Sequence, residues 1–236
     1  MNPPVAEILD RLQKVLEYKF KNEDLLQESL THPSTDAHLA DNRNYERLEF
    51  LGDRVLGLIV ADMLVYSFPD EAEGDLAKRH TALVQTKMLA EIAREIKLGE
   101  FLSLSIGEHK SGGRHKSTVL ADAMEAVIGA LYLDGGLEAA KVFLKRFWQD
   151  KMMSYEIPPM DAKTELQEWV QKQGLPLPQY VLLERRGPDH DPEFEMEVRV
   201  KGQDNKVGTS NSKQNAQKYA AQAMLKYLKD SGQYEQ

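Results

Sequence analysis

The hydrophobic pattern of this chain changes once, near Pro158-Pro159, and that change limits what the chain can fold into. Before the two prolines, apolar residues recur with a helical period; after them, residues 193–201 alternate apolar and charged side chains. A Pro-Pro pair cannot continue a helix and favours an extended connector. The sequence therefore predicts two domains joined by a linker. The expected boundaries are 1–153 for the first domain, 154–160 for the linker, 161–230 for the second domain and 231–236 for a polar tail.

The first domain is expected to be all-α. Turn-forming prolines and glycines separate its periodic segments, and no strand-like alternation of useful length precedes Met160. Gly135-Gly136 predicts a break between the last two helices. The predicted helices cover 6–16, 23–30, 45–66, 75–96, 119–133 and 137–152.

The second domain is expected to be a small α+β unit. Asp161 is a suitable N-cap for a first helix, and a second helix closes the domain. Between them lie three strand-like segments. The predicted order is helix 162–173, strands 179–186, 193–201 and 206–210, and helix 212–228. This α-β-β-β-α order predicts an antiparallel three-stranded sheet covered on one face by two helices.

Composition excludes several classes of protein. The chain has no cysteine, which removes disulfide scaffolds, thiolate zinc sites and cysteine nucleophiles. No basic segment followed by an apolar one marks the start as a secretory signal, and the apolar run 126–133 is too short to span about 30 Å of hydrocarbon. We therefore expect a cytoplasmic protein without a membrane partner. The net charge of −8 does not by itself exclude a polyanionic partner, because bound cations reverse the local sign.

Two predicted helices carry acids among apolar residues. Glu46, Glu49 and Asp53 stand at i, i+3 and i+7, and Asp122 and Glu125 stand one turn apart in the later helix. Burying unpaired carboxylates costs several kcal/mol each, on the order of the effective desolvation penalty, unless cations compensate. Oxygen ligands on a hard divalent cation, with Mg²⁺ as the natural choice, explain both sets. The apolar residues around the first set predict a buried helix: Leu48, Phe50, Leu51, Val55, Leu56, Leu58 and Ile59.

Glycines support a shared site between these helices. Gly52 and Gly129 are costly inside helices but would allow the two to approach closely. The alternative is that the acids are solvated, or pair with Arg47 and Arg54. Glu73, at a loop-to-helix junction, is either an acid favoured by the helix dipole or a residue at the edge of the site.

Basic segments suit a phosphate ligand. The loop 109–117 combines glycines with cations immediately before the Asp122 helix, although a basic glycine loop is more often a solvated turn. In the second domain Lys213 lies near a helix N-terminus, a favourable place for phosphate, and Lys218 lies further along the same helix. His190 lies in the predicted turn 187–190, where its imidazole could reach a sugar hydroxyl.

These segments resemble a known family. Asn44-Tyr-Glu-Arg-Leu-Glu-Phe-Leu-Gly-Asp53 resembles the signature of bacterial ribonuclease III, an endonuclease that acts on double-stranded RNA. Thr31-His-Pro-Ser34, Glu73-Gly-Asp75 and Leu120-Ala-Asp-Ala-Met-Glu125 follow in the family's order. Residues 161–229 resemble its double-stranded-RNA-binding domain.

The resemblance implies roles for the acids. Glu49, Asp122 and Glu125 would be the Mg²⁺ ligands, with Mn²⁺ able to substitute, and Asp53 and Glu125 would be the catalytic residues that activate water. Glu46 and Glu73 match secondary acids near the substrate and the subunit interface.

The resemblance also implies how RNA is bound. Gln167 would enter one minor groove, His190 the next, and Lys213 the phosphates between them. The family often has further lysines where this chain has Gln214 and Gln217, and Lys218 could partly replace them.

The implied function is Mg²⁺-dependent cleavage of double-stranded RNA to 5′-phosphate and 3′-hydroxyl ends, in the processing of rRNA, mRNA and other RNA. One set of acids per chain implies a homodimer for cutting two strands. Two alternatives stay open on the residues alone. The first is a non-catalytic double-stranded-RNA-binding protein whose acids are structural, and the second is a Mg²⁺-dependent phosphohydrolase of small nucleotides.

Overall fold

The computed structural model describes residues 5–35, 44–155, 161–188 and 192–234. The chain divides into two compact units, Met1–Pro159 and Met160–Gln236. Each unit has its own hydrophobic core, so each is described by itself.

The first unit is helical, as predicted. Within its described residues the β structure is a single parallel bridge between Thr31 and Ser103. Short 3₁₀ turns occupy Leu98–Phe101 and Gly113–His115. The α-helices are α1 (Val5–Leu16), α2 (Glu23–Ser29), α3 (Glu46–Ser67), α4 (Glu73–Val84), α5 (Thr86–Glu95), α6 (Ile106–Lys110) and α7 (Ser117–Met153).

Helix α7 forms the centre of this unit. Most of its residues from Val119 to Leu131 are buried, and α3 packs along it. Further along α7, the indole N–H of Trp148 donates to the carbonyl oxygen of Leu83 at 2.9 Å. A helix that is apolar on nearly every side belongs inside a domain, which explains its central position.

The predicted helix 75–96 is wrong as a single element. Gln85 has extended backbone angles (φ −72°, ψ 152°), so α4 ends before it and α5 begins after it. The sequence has neither glycine nor proline at this point to signal a break. The turn lets Leu83 and Leu89, on either side of it, both reach the core. The five-residue α6 was also not predicted, because so short a helix has no detectable periodicity.

The predicted break at Gly135-Gly136 is a kink inside α7. Gly136 has φ 74° and ψ −171°, in a region that an L side chain rarely adopts. Next to the kink, the Asp134 carboxylate accepts the N–H groups of Lys21 and Asn22, both at 2.9 Å, and the Tyr18 hydroxyl at 2.8 Å. These bonds tie the start of α2 to the kink.

The second unit has the predicted α-β-β-β-α order. Its elements are α8 (Ala162–Lys172), β1 (Gln179–Arg186), β2 (Glu193–Arg199), β3 (Lys206–Ser210) and α9 (Lys213–Asp230). The strands form an antiparallel sheet in the order β1-β2-β3. The predicted fold class is therefore confirmed for both halves of the chain.

Helices and sheet share one small core in this unit. Asp161 caps α8 by accepting the N–H of Lys163 at 3.0 Å, as predicted. Gly208 of β3 lies directly against the backbone of α9, where any Cβ would collide. Beyond α9 the chain still packs: the Tyr234 ring stacks on Trp169, and its hydroxyl donates to Glu165 at 2.9 Å.

Among the described residues, no helix is both long enough and apolar enough to cross a membrane.

Candidate functional site

The candidate site is built on the crossing of α3 and α7. A Cβ added to Gly52 would overlap the carbonyl oxygen of Glu125, and one added to Gly129 would overlap that of Leu48. The two glycines therefore bring the backbones of the helices into contact, as the sequence predicted. Helices that cross this closely hold the side chains next to the crossing at a fixed separation.

The acids lie around this crossing. Glu46 is the first residue of α3 and is exposed, whereas Glu49 and Asp53 follow it one and two turns later and are half-buried. Asp122 and Glu125 are half-buried on α7. The helical spacing inferred from the sequence thus places the two sets on facing elements.

The expectation that α3 is buried on nearly all sides is wrong. Phe50 is 64 % exposed and Leu58 is 60 % exposed, so an apolar stripe of α3 faces away from the core of the chain. Hydrophobic residues in a sequence predict that a surface is covered, but they do not say whether the cover comes from the same chain.

The electrostatics of the carboxylates join the two helices into one cluster. Burial, followed by the charges of Asp53, Glu49 and Asp122, raises the pKa of Glu125 to about 8. Burial, and then Asp122, Glu46 and Asp53, raises the pKa of Glu49. Burial also raises the pKa of Asp122. Acids on each helix therefore raise the pKa of acids on the other helix, and the cluster holds more negative charge than its own cations balance.

Arg54 is the cation that lies against this cluster. Its Nη1 atom donates to the Asp53 carboxylate at 2.8 Å, and its guanidinium lies 4.0 Å from the centroid of the Phe50 ring. Arg54 also lowers the pKa of Glu125, in opposition to the acids. No three acidic or histidine side chains of the described residues stand together in a metal-binding arrangement.

Three residues beside the acids were not singled out as site residues from the sequence: His32, Tyr45 and Glu108. The pKa of buried Tyr45 is raised, first by burial and then by Asp122, Glu49, Glu46 and Glu108. The sequence signal for His32 and Tyr45 was their place in the motifs at 31–34 and 44–53, where no chemistry demanded them. Glu108 lies far from both motifs, and only the fold brings it near.

Glu73 and the basic loop have different surroundings in the first unit. Glu73 begins α4 in an exposed position and does not contribute to the raised pKa of Glu49, Asp122 or Glu125. In the loop, Lys116 pairs with Glu108 at 2.7 Å.

Another basic side chain of this loop, Arg114, donates to the carbonyl oxygen of Gly99 at 2.7 Å and to His109 Nδ1 at 3.1 Å. Arg114 and Lys116 therefore both bond within the unit.

The nucleic-acid-binding residues expected in the second unit have different surroundings. Gln167 is exposed on α8. Lys213 is the exposed first residue of α9, with its ammonium 5.7 Å from the centroid of the Phe194 ring. Lys218 instead pairs with Asp161 at 3.3 Å. His190 lies outside the described residues.

Comparisons with known protein families match both units. A family described as ribonuclease-III-like matches residues 22–152, and the double-stranded RNA binding motif matches residues 162–228.

Relatives match over almost the whole chain. Ribonuclease 3 of Ehrlichia ruminantium (strain Gardel) is 49 % identical over 218 residues, covering 92 % of this chain and 96 % of that protein. Ribonuclease 3 of Bartonella bacilliformis is 44 % identical over 220 residues, covering 93 % of each.

Solved structures match the helical unit. The nuclease domain of ribonuclease III from Campylobacter jejuni aligns with a TM-score of 0.57 and 43 % identity, over 60 % of this chain and 96 % of that one. That structure concerns flexibility in a region involved in dimer formation. A second structure of the same domain aligns with a TM-score of 0.54 and 41 % identity, over 64 % of this chain and 97 % of that one.

Proposed function

The chain belongs to the ribonuclease III family and is an endoribonuclease, and on that premise we propose that it hydrolyses double-stranded RNA in a Mg²⁺-dependent reaction that leaves 5′-phosphate and 3′-hydroxyl ends. The observation that carries the proposal is the coupling of Glu49, Asp53, Asp122 and Glu125 across the crossing of α3 and α7. Phosphodiester cleavage builds negative charge, so acids gathered at the site need cations to work there.

The side chains present fit a hard divalent cation. The carboxylates are half-buried, repel one another and offer only oxygen donors. Mg²⁺ is bound through a few carboxylates and keeps several waters. Asp53 bonds to Arg54 in this structure, and as a residue of the metal site it would have to give up that bond.

The acids divide the chemical work. Glu49, Asp122 and Glu125 would hold Mg²⁺, or Mn²⁺ in its place. A bound ion of this kind supplies a water that is easily deprotonated and stabilises charge on the phosphate. Asp53 and Glu125 would orient that water and take its proton. Without a cation, burial and the charges of Asp53, Glu49 and Asp122 raise the pKa of Glu125, and a bound divalent ion would relieve this repulsion.

The second unit would supply most of the affinity for RNA. It matches a double-stranded RNA binding motif, and such modules recognise duplex shape over about 16 bp through minor-groove hydroxyls and phosphates. Gln167 and His190 would contact successive minor grooves, and Lys213 the phosphates between them. Lys218 would contribute after release from Asp161.

We infer that the active form is a homodimer. The described residues of one chain hold one set of four coupled acids, whereas a duplex has two strands to cut. The exposed apolar stripe of α3, with Phe50 and Leu58, is continuous with the helix that carries Glu49 and Asp53. A second copy packed on this stripe would cover its apolar surface and set the two sites in a two-fold arrangement. Glu46 and Glu73 would lie towards the substrate and this interface.

In the cell, the proposed role is the processing of rRNA, mRNA and other transcripts with duplex regions, in the cytoplasm. Recognition by shape suits many transcripts that share duplex segments but differ in sequence.

One assay tests the proposal. Pure protein is incubated with long duplex RNA, single-stranded RNA or free nucleotides, in Mg²⁺ or in EDTA, and the product ends are mapped. We expect only the duplex to be cut, only with Mg²⁺, to 5′-phosphate ends. Glu125→Gln and Asp122→Asn should abolish cleavage while duplex binding survives. The control is Glu138→Gln, at an exposed position on α7 outside the cluster.

Three results would overturn the proposal. Duplex binding without cleavage by the wild type would indicate a non-catalytic binding protein. Hydrolysis of nucleotides alone would indicate a small-molecule phosphohydrolase. Full activity of both variants would remove these acids from the mechanism.

A further inference from the structure

A short segment of backbone links the two acid-bearing parts of the first unit. The Thr31 carbonyl accepts the N–H of Tyr45 at 3.1 Å, one residue before α3 begins. On its other side, the N–H of His32 donates to the Ser103 carbonyl at 3.0 Å, and Ser103 lies on the path to α6 and α7. His32 is therefore held by backbone bonds between the segments that lead into α3 and α7.

The His32 side chain is fixed as well. Its Nδ1 atom accepts the N–H of Ser34 at 2.9 Å, so the neutral ring carries its proton on Nε2. The ring packs edge-on against Tyr45, with centroids 5.5 Å apart and planes at 88°. In the part of the chain that the structure describes, Nε2 makes no hydrogen bond.

Two of the charged residues around His32, Asp122 and Glu46, belong to the proposed site. The negative charges of Glu108, Asp122 and Glu46 raise the pKa of His32, and the positive charge of Lys116 lowers it. Burial outweighs the acids and lowers the pKa of His32, so the ring is neutral near pH 7 and Nε2 remains a donor. The ring is only partly buried, which leaves this donor accessible. A rigid neutral donor beside an acid cluster suits an anionic oxygen from outside the protein, because hydrogen bonds to charged acceptors are the stronger ones.

We propose that His32 is a further RNA-binding residue of the first unit, whose Nε2–H donates to a phosphate oxygen of the duplex beside the bond that is cut. The proposal rests on the proposed function. It adds a neutral contact that fixes the position of the backbone without adding to the charge of the site. Tyr45 would support the ring from its side, as a positioning residue.

Two substitutions separate this role from a structural one. His32→Asn keeps an oxygen that accepts the N–H of Ser34 in an Asx turn but lacks the donor at Nε2. His32→Gln places an amide N–H close to the position of Nε2. We expect kcat/KM for duplex cleavage to fall about tenfold in His32→Asn, the loss expected for one such hydrogen bond, and to recover at least half of that loss on the logarithmic scale in His32→Gln. The melting temperatures of both variants should lie within a few degrees of that of the wild type.

A second measurement is independent of turnover. In a Glu125→Gln background, affinity for the duplex should also be lower with His32→Asn than without it. The proposal is overturned if His32→Asn cleaves and binds like the wild type, or if His32→Gln is as slow as His32→Asn. If the His32→Asn defect disappears on a duplex with a single 2′-deoxy nucleotide at the cut, the acceptor is the hydroxyl and the phosphate assignment is wrong. A wild type that does not cleave would instead overturn the proposed function.

Discussion

The α-carbon of Gly52 packs directly on the carbonyl oxygen of Glu125, so the backbone of one acid-bearing helix touches the backbone of the other beside a proposed metal ligand. No residue with a side chain fits at this point. The separation of the acids is thus set by backbone contact, which is far stiffer than contact between side chains.

Gly52→Ala is therefore expected to be severely destabilising. The new methyl group would overlap a backbone carbonyl that cannot rotate away, and the free energy of unfolding should fall by about 3 kcal/mol or more. Urea denaturation measures the loss. Gly57→Ala on the same helix is the control, because its Cβ would meet only the His80 ring, with Nε2 at 3.7 Å and Cε1 at 3.8 Å, which are ordinary contacts. That variant should be neutral or gain up to about 1 kcal/mol from helix propensity. Equal stability of the two variants would contradict the close crossing.

The raised pKa of Glu125 predicts a pH-dependent stability in EDTA. Its pKa rises from 4.5 in the unfolded chain to about 8 in the folded one, so the folded state binds more protons between these values. The contribution of Glu125 to stability is therefore lost as the pH rises from 4.5 to 8. Glu125→Gln should be more stable than the wild type by about 1–2 kcal/mol at pH 8, after allowance for solvent screening of a half-exposed group. The difference should vanish near pH 4.

Denaturant titrations of both proteins at several pH values measure this difference, and Glu138→Gln, outside the cluster, serves as the control. Saturating Mg²⁺ should then stabilise the wild type more than Glu125→Gln, because binding to the folded state adds to stability. A difference between wild type and Glu125→Gln that does not change with pH would show that the carboxylate is ordinarily solvated.

In the second unit, removing a lysine and adding one near the start of α9 should have opposite effects on binding to duplex RNA. Lys213 is exposed at the start of α9, so Lys213→Ala should weaken duplex binding and reduce the slope of log Kd against log salt by about one. Gln214→Lys should do the reverse by a similar amount, because it adds a cation at the same helix N-terminus. Lys172→Ala, at the last residue of α8, is the control for loss of a surface charge. Binding titrations over a range of salt concentrations measure these slopes. Unchanged slopes in both variants would exclude a phosphate contact at the start of α9.

Phe50→Glu should separate the proposed dimer. A charge at a residue that is 64 % exposed costs little in the single chain, but it would be buried in an interface built on the α3 stripe. We expect monomers in sedimentation equilibrium and a melting temperature that no longer depends on protein concentration, because the stabilisation by association is lost. Val5→Glu makes the same chemical change at another exposed apolar position, on α1, and should leave the assembly intact. The stripe is not the interface if the Phe50→Glu protein still sediments as a dimer.

The stability of the first unit after truncation is expected to depend on a single carbonyl group, that of Tyr155. Buried Arg79 bonds twice to Glu71, at 2.6 and 2.7 Å, and donates to the carbonyl oxygen of Tyr155 at 2.6 Å. A chain ending after Tyr155 keeps this acceptor, whereas one ending after Met153 loses it and should be less stable by about 1–3 kcal/mol. Thermal or urea unfolding compares the two.

Tyr155→Ala in the longer truncated chain separates loss of the ring from loss of the carbonyl. The longer chain should also retain cleavage at low salt, with weaker binding to RNA, since the second unit would supply most of the affinity. A folded chain ending at Tyr155 that cuts no duplex under any salt or Mg²⁺ condition would contradict this division of work.

Much of the fold could be read from local patterns. The strand at 206–210 and the Asp161 cap depend on residues close in the chain, and both were predicted at the positions where they occur. The break at Gln85 was not, because extended backbone there depends on how α4 and α5 pack rather than on the residue itself. The exposure of Phe50 was not predicted for a related reason. An apolar residue indicates that a surface is buried, but it does not show whether the same chain or another one covers it.

The sequence by itself determined the elements, the change of fold class at the prolines and the two sets of acids, since each follows from the spacing of residues along one helix or strand. It also identified Gly52 and Gly129 as the means of close approach. Only the tertiary structure decided that Arg54 holds Asp53, that Lys218 pairs with Asp161 and that His32 stands beside the acids of α3 and α7. These relationships join residues through side-chain rotamers and through packing of distant segments, and both are settled by the whole core rather than by local spacing.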